Sequence, residues 1–410
     1  MSAAGMVIVG AGEAGARAAL ALREAGYDGP VTILGEEPHF PYERPPLSKA
    51  AIVSGDEPRP ATIVDEARCR AAGIAHHARA RVAAIVPSSH RIQLGDGRSL
   101  AYDRLLLATG ARARRLSIPG AEHALYLRTF DDALALRRHL RTGARIAVIG
   151  GGFIGLEVTA SAVRRGASVT LIEAAPRLLA RGVPAEMAQK IGKLHESAGV
   201  AIHLGAIVER IEAAGEVFCV QLTDGGRVDC NCVIAGVGAV PETALAVDAG
   251  LAIDNGIAVD ATLRTSDADI FAAGDCCSFP SPHRAGRRIR LEAWRNAQDQ
   301  GAAVARAMLG SDEPYAAVPW FWSDQYDETL QIAGLPDEGR VTIVRDGAAA
   351  RLVFYLAEDG RLVAASSVGP NASIARDMRL AEMMIAARAR PDPVALADPE
   401  IGLKSLLRGR

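Results

Sequence analysis

Two glycine motifs, each placed between an apolar strand and a helix, constrain most strongly what this chain can fold into. The first runs from Gly10 to Gly15 in the pattern Gly-x-Gly-x-x-Gly, and the second runs from Gly150 to Gly155 in the same pattern. Such glycines let a pyrophosphate approach the helix N-terminus, where free N–H groups and the helix dipole favour anions. We call each unit of strand, glycine turn and helix an opening. Two such openings predict two nucleotide-binding α/β domains.

The residues around both motifs predict a strand, a helix and a second strand in that order. Apolar runs lead into each glycine turn, and a helical pattern follows it. For the first motif we expect strand 6–9, helix 14–25 and strand 31–34. For the second motif we expect strand 145–149, helix 153–165 and strand 169–172.

An acidic residue follows the second strand of each opening, where a carboxylate can accept hydrogen bonds from ribose hydroxyls. Glu36 takes this position in the first opening, with the adjacent Glu37 as an alternative. Glu173 takes it in the second opening, and a carboxylate there repels a 2′-phosphate, which favours NAD over NADP. The nearby Arg177 leaves NADP open as an alternative.

Gly274 and Asp275 indicate which opening holds a flavin. An aspartate that follows a glycine at a strand end, ahead of a helix, suits the ribityl hydroxyls of a flavin, and NAD has no ribityl chain. A simple helix cap is the alternative interpretation of Asp275. The pair therefore favours a flavin in the domain that contains this strand.

The chain order indicates that the second domain is inserted into the first. Residues 104–110 and 269–275 both look like buried strands that stop at a glycine turn, so we expect them side by side in one sheet. From about Trp320 the glycine motifs cease. The pattern there predicts strands within 341–344 and 351–356 and a helix over 374–387, which together form a smaller α+β domain.

Composition and charge argue against several functional classes. The net charge is −2 and the sequence pI is near 6.5, so no global basic field favours nucleic acid or an anionic membrane. No run of about 18 apolar residues predicts a membrane-spanning helix. The first glycine motif lies where a cleaved leader would be, so we expect no leader and a cytoplasmic location.

The six cysteines show no redox or metal-binding pattern. They form no Cys-x-x-Cys and no ligand spacing with histidine, so we expect buried thiols and no metal site. The close pairs Cys230/Cys232 and Cys276/Cys277 are the ones whose thiol state is worth measuring.

These motifs and several longer segments resemble the FAD-dependent ferredoxin reductases that serve Rieske-type aromatic dioxygenases and bacterial cytochromes P450. The resemblance covers nearly the whole chain. It is carried by residues 41–49 (PYERPPLSK), 108–110 (ATG), 150–157 (GGGFIGLE), 273–275 (AGD), 292–300 (EAWRNAQDQ) and 319–325 (PWFWSDQ). The closing segment 395–399 favours the biphenyl dioxygenase type of reductase.

The resemblance implies an α/β fold of the glutathione-reductase type, with two Rossmann-like nucleotide-binding domains and a C-terminal α+β domain. The predicted boundaries are 1–110 and 241–319 for the FAD-binding domain, 111–240 for the NADH-binding domain and 320–410 for the C-terminal domain. The residues implied to contact FAD are Ala14, Glu36, Arg44, Lys49, Val82, Arg128, Asp275 and Trp294. Those implied to contact NADH are Glu157, Glu173 and Arg181, with Glu157 facing the nicotinamide. The motif residues and neighbours that complete the predicted cofactor-binding set are Gly10, Gly12, Gly15, Thr109, Gly110, Gly150, Gly152, Ile154, Gly155, Gly238, Gly274 and Trp320.

The same resemblance predicts the chemistry. Disulfide reductases of this fold carry a reactive cysteine in the stretch that here reads 45–55 without one, and dithiol exchange needs a thiolate beside the flavin. We therefore predict hydride transfer from NADH to FAD, with Lys49 and Glu157 as a coupled pair that poises the flavin. The helix that begins near Trp294 is expected to stabilise the reduced flavin by ~0.3–1 kcal/mol through its dipole.

The predicted electron acceptor is a [2Fe–2S] ferredoxin, which takes one electron at a time. Trp320 and Trp322 are candidates for covering the flavin edge that faces it, with ordinary packing as the alternative. The basic run of Arg284, Arg287, Arg288 and Arg290 is a candidate docking surface, with a solvated loop as the alternative. Two rival functions are an NADH oxidase that uses oxygen directly and a flavin-binding interaction protein whose reduction changes its association.

Overall fold

The computed structural model describes residues 4–347 and 350–407, which form two compact units. The first unit contains the chain up to Glu43 together with residues 60–112 and 240–319. The second unit contains residues 44–59 and 113–239 and the chain from Trp320 onward. This grouping joins residues 44–59 and the C-terminal region to the middle of the chain, and the three-domain division stays a prediction.

A parallel sheet forms the centre of the first unit. Its strands lie in the order Ile270–Ala272, Arg104–Leu107, Met6–Val9, Val31–Leu34 and Ile74–His77. The predicted neighbours are confirmed, because Ile270 pairs with Leu105 in parallel register. The first four of these strands are apolar and almost entirely buried, as a parallel sheet covered on both faces requires, and Ile74–His77 is a partly exposed edge strand.

Two long helices of the first unit pack against each other at the sheet. Helix Glu13–Glu24 follows the first glycine turn, and helix Trp294–Met308 comes late in the chain. A Cβ on Gly301 would lie 2.7 Å from the Ala14 carbonyl oxygen, so this glycine lets the helices approach closely. Shorter elements of this unit are helices Glu66–Ala71 and Ala244–Asp248 and strands Val82–Val86, Arg91–Leu94, Ser99–Ala101, Ile257–Ala258, Cys277–Pro280 and Arg288–Ile289.

The second unit contains another parallel sheet, built on the second glycine motif. Its strands lie in the order Ala201–Leu204, Ser168–Glu173, Arg145–Ile149, Cys232–Ala235 and Ala124–Leu125. Accompanying elements are helices Ala50–Val53, Phe130–His139, Phe153–Arg164 and Ala185–Ser197 and the antiparallel strands Val208–Ala214, Val217–Leu222 and Arg227–Cys230. Short strands at Ala111–Ala113 and Ala239–Pro241 lie where the chain passes between the units.

An antiparallel sheet begins at Trp320, as the change of pattern there predicts. Its strands lie in the order Trp320–Gln325, Glu328–Gly334, Leu362–Gly369, Arg351–Leu356 and Val341–Asp346. Helix Asn371–Ala386 packs on Glu328–Gly334 and Leu362–Gly369, and short helices follow at Pro393–Ala397 and Leu403–Leu406. The long helix starts three residues earlier than predicted, directly after Pro370.

Within residues 4–347 and 350–407, none of the helices combines the length and the apolar character that a membrane span needs. The same residues contain no group of three His, Cys, Asp or Glu side chains able to hold a metal ion.

Arg345 ties the C-terminal segment to the antiparallel sheet. Its side chain is buried, and its guanidinium donates to a set of backbone carbonyl oxygens. These carbonyls belong to Leu396, Asp398, Pro399 and Ile401, at 3.3, 2.6, 3.2 and 2.8 Å. Removing the guanidinium would leave these acceptors unsatisfied.

Arg345→Met should lower the free energy of unfolding by about 2–4 kcal/mol, because several carbonyls lose a charged donor while the apolar stem is kept. The matched control is Arg379→Met, whose side chain is 59% exposed and pairs with Glu382. It should change the free energy by less than about 1 kcal/mol. Urea denaturation followed by circular dichroism measures both variants, and equal effects would contradict the role assigned to Arg345.

Candidate functional site

The first glycine turn leaves space at a helix N-terminus. Gly10 has a φ of +116°, and a Cβ there would collide with the Ala108 carbonyl oxygen. A Cβ on Gly15 would collide with the Gly10 carbonyl oxygen, so the turn itself requires both glycines. A Cβ on Gly12 would meet no atom within 4 Å. The protein packing does not require glycine at this position, and the space suits a bound phosphate.

The second glycine turn repeats this arrangement. A Cβ on Gly150, whose φ is +106°, would meet the Gly236 carbonyl oxygen at 2.5 Å, and one on Gly155 would collide with the Gly150 carbonyl oxygen. A Cβ on Gly152 would find its nearest neighbour 4.0 Å away. Helix Phe153–Arg164, like helix Glu13–Glu24, begins without a side-chain cap. Both turns therefore fit a dinucleotide pyrophosphate.

Glu173 lies at the second glycine turn, as predicted. Its carboxylate accepts hydrogen bonds from the Gly151 N–H at 2.5 Å and the Ala175 N–H at 2.7 Å. A carboxylate has about four lone-pair sites, so acceptors remain for ribose hydroxyls. The alternative charge, Arg177, donates to the carbonyl oxygens of residues 178–180 at 3.0–3.2 Å. These bonds hold both Nη atoms of the Arg177 guanidinium at the backbone, which favours the NAD interpretation of this turn.

Other predicted residues of the second unit are placed as follows. Gly238 has a φ of +106°, and a Cβ there would lie 3.1 Å from an Arg181 guanidinium nitrogen. Ile154 is exposed at the start of its helix. The Arg44 guanidinium donates to the Arg128 carbonyl oxygen, so these two predicted FAD contacts lie together in the second unit.

The acidic candidates of the first unit differ in their surroundings. The Glu36 side chain is 76% exposed and lies 3.8 Å from the Arg81 guanidinium. The Glu37 carboxylate accepts a hydrogen bond from the Tyr42 hydroxyl. Of the two, Glu36 therefore stays the better candidate for a ribose contact. Val82 is buried in the strand that begins with it.

Gly274 and Asp275 follow a strand, as predicted, but the prediction of a helix directly after them is wrong. Gly274 has a φ of +83° and donates its N–H to the Gln300 side-chain oxygen at 2.7 Å. The chain continues as strand Cys277–Pro280, so Asp275 does not cap a helix. The helix of the 292–300 motif starts later, at Trp294, without a side-chain cap. Thr109, beside the buried Leu107 strand end and Gly110, donates its hydroxyl to the Glu242 carbonyl oxygen at 2.6 Å.

The predicted pair of Lys49 and Glu157 is present in the second unit. Lys49 Nζ lies 3.2 Å from Glu157 Oε1 and also 3.2 Å from Asp324 Oδ2. The Glu157 side chain is 6% exposed, and a carboxylate buried this deeply needs compensating partners. The Ser48 hydroxyl donates to Glu157 Oε2, and the Ser323 hydroxyl donates to Oε1 at 2.7 Å.

Sequence reasoning missed Asp324, Ser323 and Ser48 as members of this cluster. Ser48 and Lys49 are adjacent, and Asp324 and Ser323 lie in the 319–325 motif, so both signals were in the sequence. In the first unit, Glu13 lies in the first turn of the helix that follows the first glycine turn. Burial raises the pKa of the Glu13 carboxyl, and the nearby Arg17 charge opposes that shift.

Aromatic rings surround the cluster. Trp320 and Trp322 stack with ring centroids 5.4 Å apart, and Phe153 contacts Phe321 edge to face at 4.6 Å. Lys49 Nζ lies 5.7 Å from the Trp322 ring centroid. The tryptophans are half-buried, so both packing and partner contact remain open to them.

The basic run is partly used inside the first unit. Arg288 donates to the carbonyl oxygens of Val259 and Ser278, and Arg290, whose side chain is 12% exposed, pairs with Glu292 at 2.6 Å. Because of these internal contacts, little of the Arg290 side chain is accessible to a ferredoxin. Of the four arginines in the predicted docking surface, Arg287 and Arg288 are exposed, and Arg284 and Arg290 are partly buried.

The six cysteines are buried and form no disulfide among the residues that the structure describes. Burial raises the pKa of Cys276 and raises that of Cys277 well above the usual value. It also raises the pKa of Cys230 to about 11 and that of Cys232 to about 12. None of these thiols is therefore an accessible thiolate near neutral pH.

Two glycine turns that fit a dinucleotide pyrophosphate agree with an oxidoreductase that uses FAD and NAD. A family model described as pyridine nucleotide-disulphide oxidoreductase matches residues 5–301, and one described as reductase C-terminal matches residues 320–407. The chain belongs to the pyridine nucleotide-disulphide oxidoreductase family, with the reductase C-terminal domain.

Similar proteins support this assignment over the full length. The anthranilate 1,2-dioxygenase system ferredoxin–NAD(+) reductase component of Burkholderia cepacia is 45% identical, over 99% of this chain and 100% of that protein. The solved ferredoxin reductase for the CYP199A2 system of Rhodopseudomonas palustris is 36% identical with a TM-score of 0.92, over 98% of this chain and 99% of that one. The putidaredoxin reductase in a covalent complex with putidaredoxin is 34% identical with a TM-score of 0.92, over 99% of both chains.

Gly12→Ala and Gly152→Ala should fold normally and lose different ligands. An added methyl group meets no protein atom at either site but fills the space left for a phosphate. Gly12→Ala should weaken FAD binding, and Gly152→Ala should weaken NADH binding with FAD retained, each by about tenfold or more. Fluorescence titrations of the purified proteins measure both affinities, and each variant is the control for the other. Wild-type FAD affinity in Gly12→Ala would contradict the assignment.

Proposed function

We propose that this protein takes a hydride from NADH onto FAD and delivers single electrons to a [2Fe–2S] ferredoxin that serves an oxygenase. One observation carries the proposal. The stretch 45–55, in which disulfide reductases of this fold carry a reactive cysteine, here carries Lys49 paired with the buried Glu157. The names of the full-length relatives, which are ferredoxin reductases, support the same acceptor.

The cofactor roles predicted from the sequence are part of this proposal. When bound, FAD accepts a hydride and releases electrons one at a time, which is the chemistry that the protein lacks. The Gly12 turn, Glu36 and Asp275 hold FAD in the proposed FAD-binding domain, and the Gly152 turn and Glu173 hold NADH in the proposed NADH-binding domain. The boundaries proposed for these domains are those given by the sequence.

Lys49 and Glu157 act together in the proposed reaction. With both cofactors bound, the Lys49 ammonium group would hydrogen-bond the flavin ring, and Glu157 would face the nicotinamide. The salt bridges to Glu157 and Asp324 fix the Lys49 ammonium from two sides. Because no residue needs to act as a nucleophile, the role of this pair is to orient and to balance charge.

The proposed ferredoxin contact involves aromatic and basic residues. The stacked Trp320 and Trp322 are candidates for the contact, and Arg284 and Arg287 remain candidates for steering an acidic partner. A covalent complex of putidaredoxin reductase with putidaredoxin shows that a similar reductase binds such a protein. A cytoplasmic location is part of the proposal, because NADH is supplied there.

Cytochrome c reduction tests electron delivery. With NADH, the protein and a purified [2Fe–2S] ferredoxin, cytochrome c should be reduced about tenfold faster or more than without the ferredoxin, because the ferredoxin carries single electrons. NADH–ferricyanide turnover is the control for an intact flavin. Cytochrome c reduction that does not depend on ferredoxin would contradict the proposal. Fast NADH consumption with oxygen alone would favour the oxidase.

Glu173→Ala tests the choice of nucleotide. Removing the carboxylate should narrow the preference for NADH over NADPH in kcat/KM by roughly tenfold, because a 2′-phosphate is no longer repelled. Arg177→Met is the matched control and should leave the preference unchanged, since bonds to the carbonyl oxygens of residues 178–180 hold that guanidinium at the backbone. An unchanged preference in Glu173→Ala would remove Glu173 from nucleotide selection.

A further inference from the structure

A buried chain of hydrogen bonds continues beyond the Glu157 carboxylate. Ser323, which donates to Glu157 Oε1, lies 2.9 Å from the Gln325 side-chain nitrogen. Gln325 Oε1 lies 3.0 Å from His195 Nε2, and His195 Nδ1 lies 3.1 Å from the Tyr326 hydroxyl. Ser323, Gln325 and His195 are each at most 1% exposed. We call Ser323, Gln325, His195 and Tyr326 the Glu157 relay.

The acceptor at one end fixes the direction of every bond in the Glu157 relay. A carboxylate in an ion pair only accepts, so the single hydroxyl proton of Ser323 points to Glu157. Ser323 Oγ must then accept from the Gln325 amide nitrogen, which turns Gln325 Oε1 toward His195. An amide oxygen only accepts, so His195 donates from Nε2. Its Nδ1 is then an acceptor, and the Tyr326 hydroxyl donates to it.

The surroundings of His195 agree with this direction. Burial lowers the pKa of His195 to about 4, although its hydrogen bond with Gln325 opposes the shift. The imidazole is therefore neutral near pH 7 and carries one N–H. The groups that face it are the Gln325 amide and the Tyr326 hydroxyl, whose own pKa burial raises to about 12.

The backbone at Tyr326 also favours a specific contact. Tyr326 occupies the turn between strands Trp320–Gln325 and Glu328–Gly334 with a φ of +57°. A bulky residue adopts this left-handed region rarely and at an energetic cost. Its ring packs edge to face on His195, with centroids 5.0 Å apart.

We propose that the Glu157 relay orients the Glu157 carboxylate toward Lys49, which makes its four members positioning residues for hydride transfer from NADH. The relay contains no catalytic group of its own, and it acts on Glu157 only through Ser323. The proposal rests on the proposed function, because it assigns Glu157 to the nicotinamide. It goes beyond that function by linking a turn and a buried histidine to the reacting pair.

The tautomer of His195 tests the direction of the relay on the wild-type protein. In a ¹⁵N-histidine NMR spectrum of the FAD-loaded protein, with the His195 signals assigned from a His195→Gln sample, the proton should reside on Nε2. Nδ1 should show no directly bonded proton. An Nδ1–H tautomer at pH 7 would overturn the proposal, since Nε2 would then accept from the Gln325 amide and Ser323 would no longer be fixed as a donor to Glu157. A doubly protonated ring would overturn it as well, because Nδ1 could not then accept from Tyr326. This measurement does not depend on catalytic activity.

A pair of serine variants tests the effect on the reaction. Ser323→Ala should slow flavin reduction by NADH in anaerobic stopped flow by roughly tenfold, because Glu157 loses one of its donors. Ser323→Thr keeps the hydroxyl and should restore most of the rate. The matched control is Ser366→Ala, a fully buried serine of the same sheet whose side chain is hydrogen-bonded to the Tyr355 hydroxyl. It should reduce flavin at the wild-type rate.

The outcomes separate this proposal from the proposed function. A wild-type rate of flavin reduction in Ser323→Ala would overturn the proposed role of the relay, and so would an equal loss of rate in Ser366→Ala. Neither result would contradict the proposal that the protein reduces a ferredoxin. A wild-type protein that is reduced by NADH but passes no electrons to ferredoxin would overturn the acceptor and leave the relay intact. The loss in Ser323→Ala should appear in the limiting rate at saturating NADH, as expected for a carboxylate that is present but misoriented.

Discussion

The ion pair between Lys49 and Glu157 is the interaction on which the rest of this site depends. Burying a carboxylate costs several kcal/mol unless partners compensate for its lost hydration. The fold supplies these partners from separate parts of the second unit. Ser48 and Lys49 come from residues 44–59, Glu157 from helix Phe153–Arg164, and Ser323 from the first strand of the antiparallel sheet. The C-terminal region therefore contributes directly to the reacting cluster.

The stretch that carries Lys49 also indicates which redox chemistry this chain can perform. Both glycine turns retain the space that a dinucleotide needs, while the stretch 45–55 has no cysteine. The thiols elsewhere in the chain are buried, and burial raises the pKa of those at Cys230, Cys232, Cys276 and Cys277. A chain with this pattern can exchange electrons between two nucleotides but offers no thiolate for a disulfide. The full-length similarity to ferredoxin reductases agrees with that reading.

Sequence alone predicted the features that depend on local pattern. The strands Met6–Val9 and Arg145–Ile149, both glycine turns and the pairing of Ile270 with Leu105 follow from apolar runs and glycine spacing. The error after Asp275 arose because a glycine at a strand end looks the same whether a helix or a strand follows. Ser323, Gln325 and His195 were not predicted as site residues, because only hydrogen bonds between positions up to 166 residues apart identify them. No local sequence pattern predicts such contacts.

The most direct test of the central claim is an anaerobic titration of the FAD-loaded protein with NADH. If Lys49 and Glu157 stand in place of a redox thiol, one equivalent of NADH per flavin should bleach the flavin completely. The number of titratable thiols in the unfolded protein should be the same before and after reduction. A requirement for two equivalents, with new thiols appearing, would show a redox disulfide and contradict the account. A flavin that NADH does not bleach would contradict it as well.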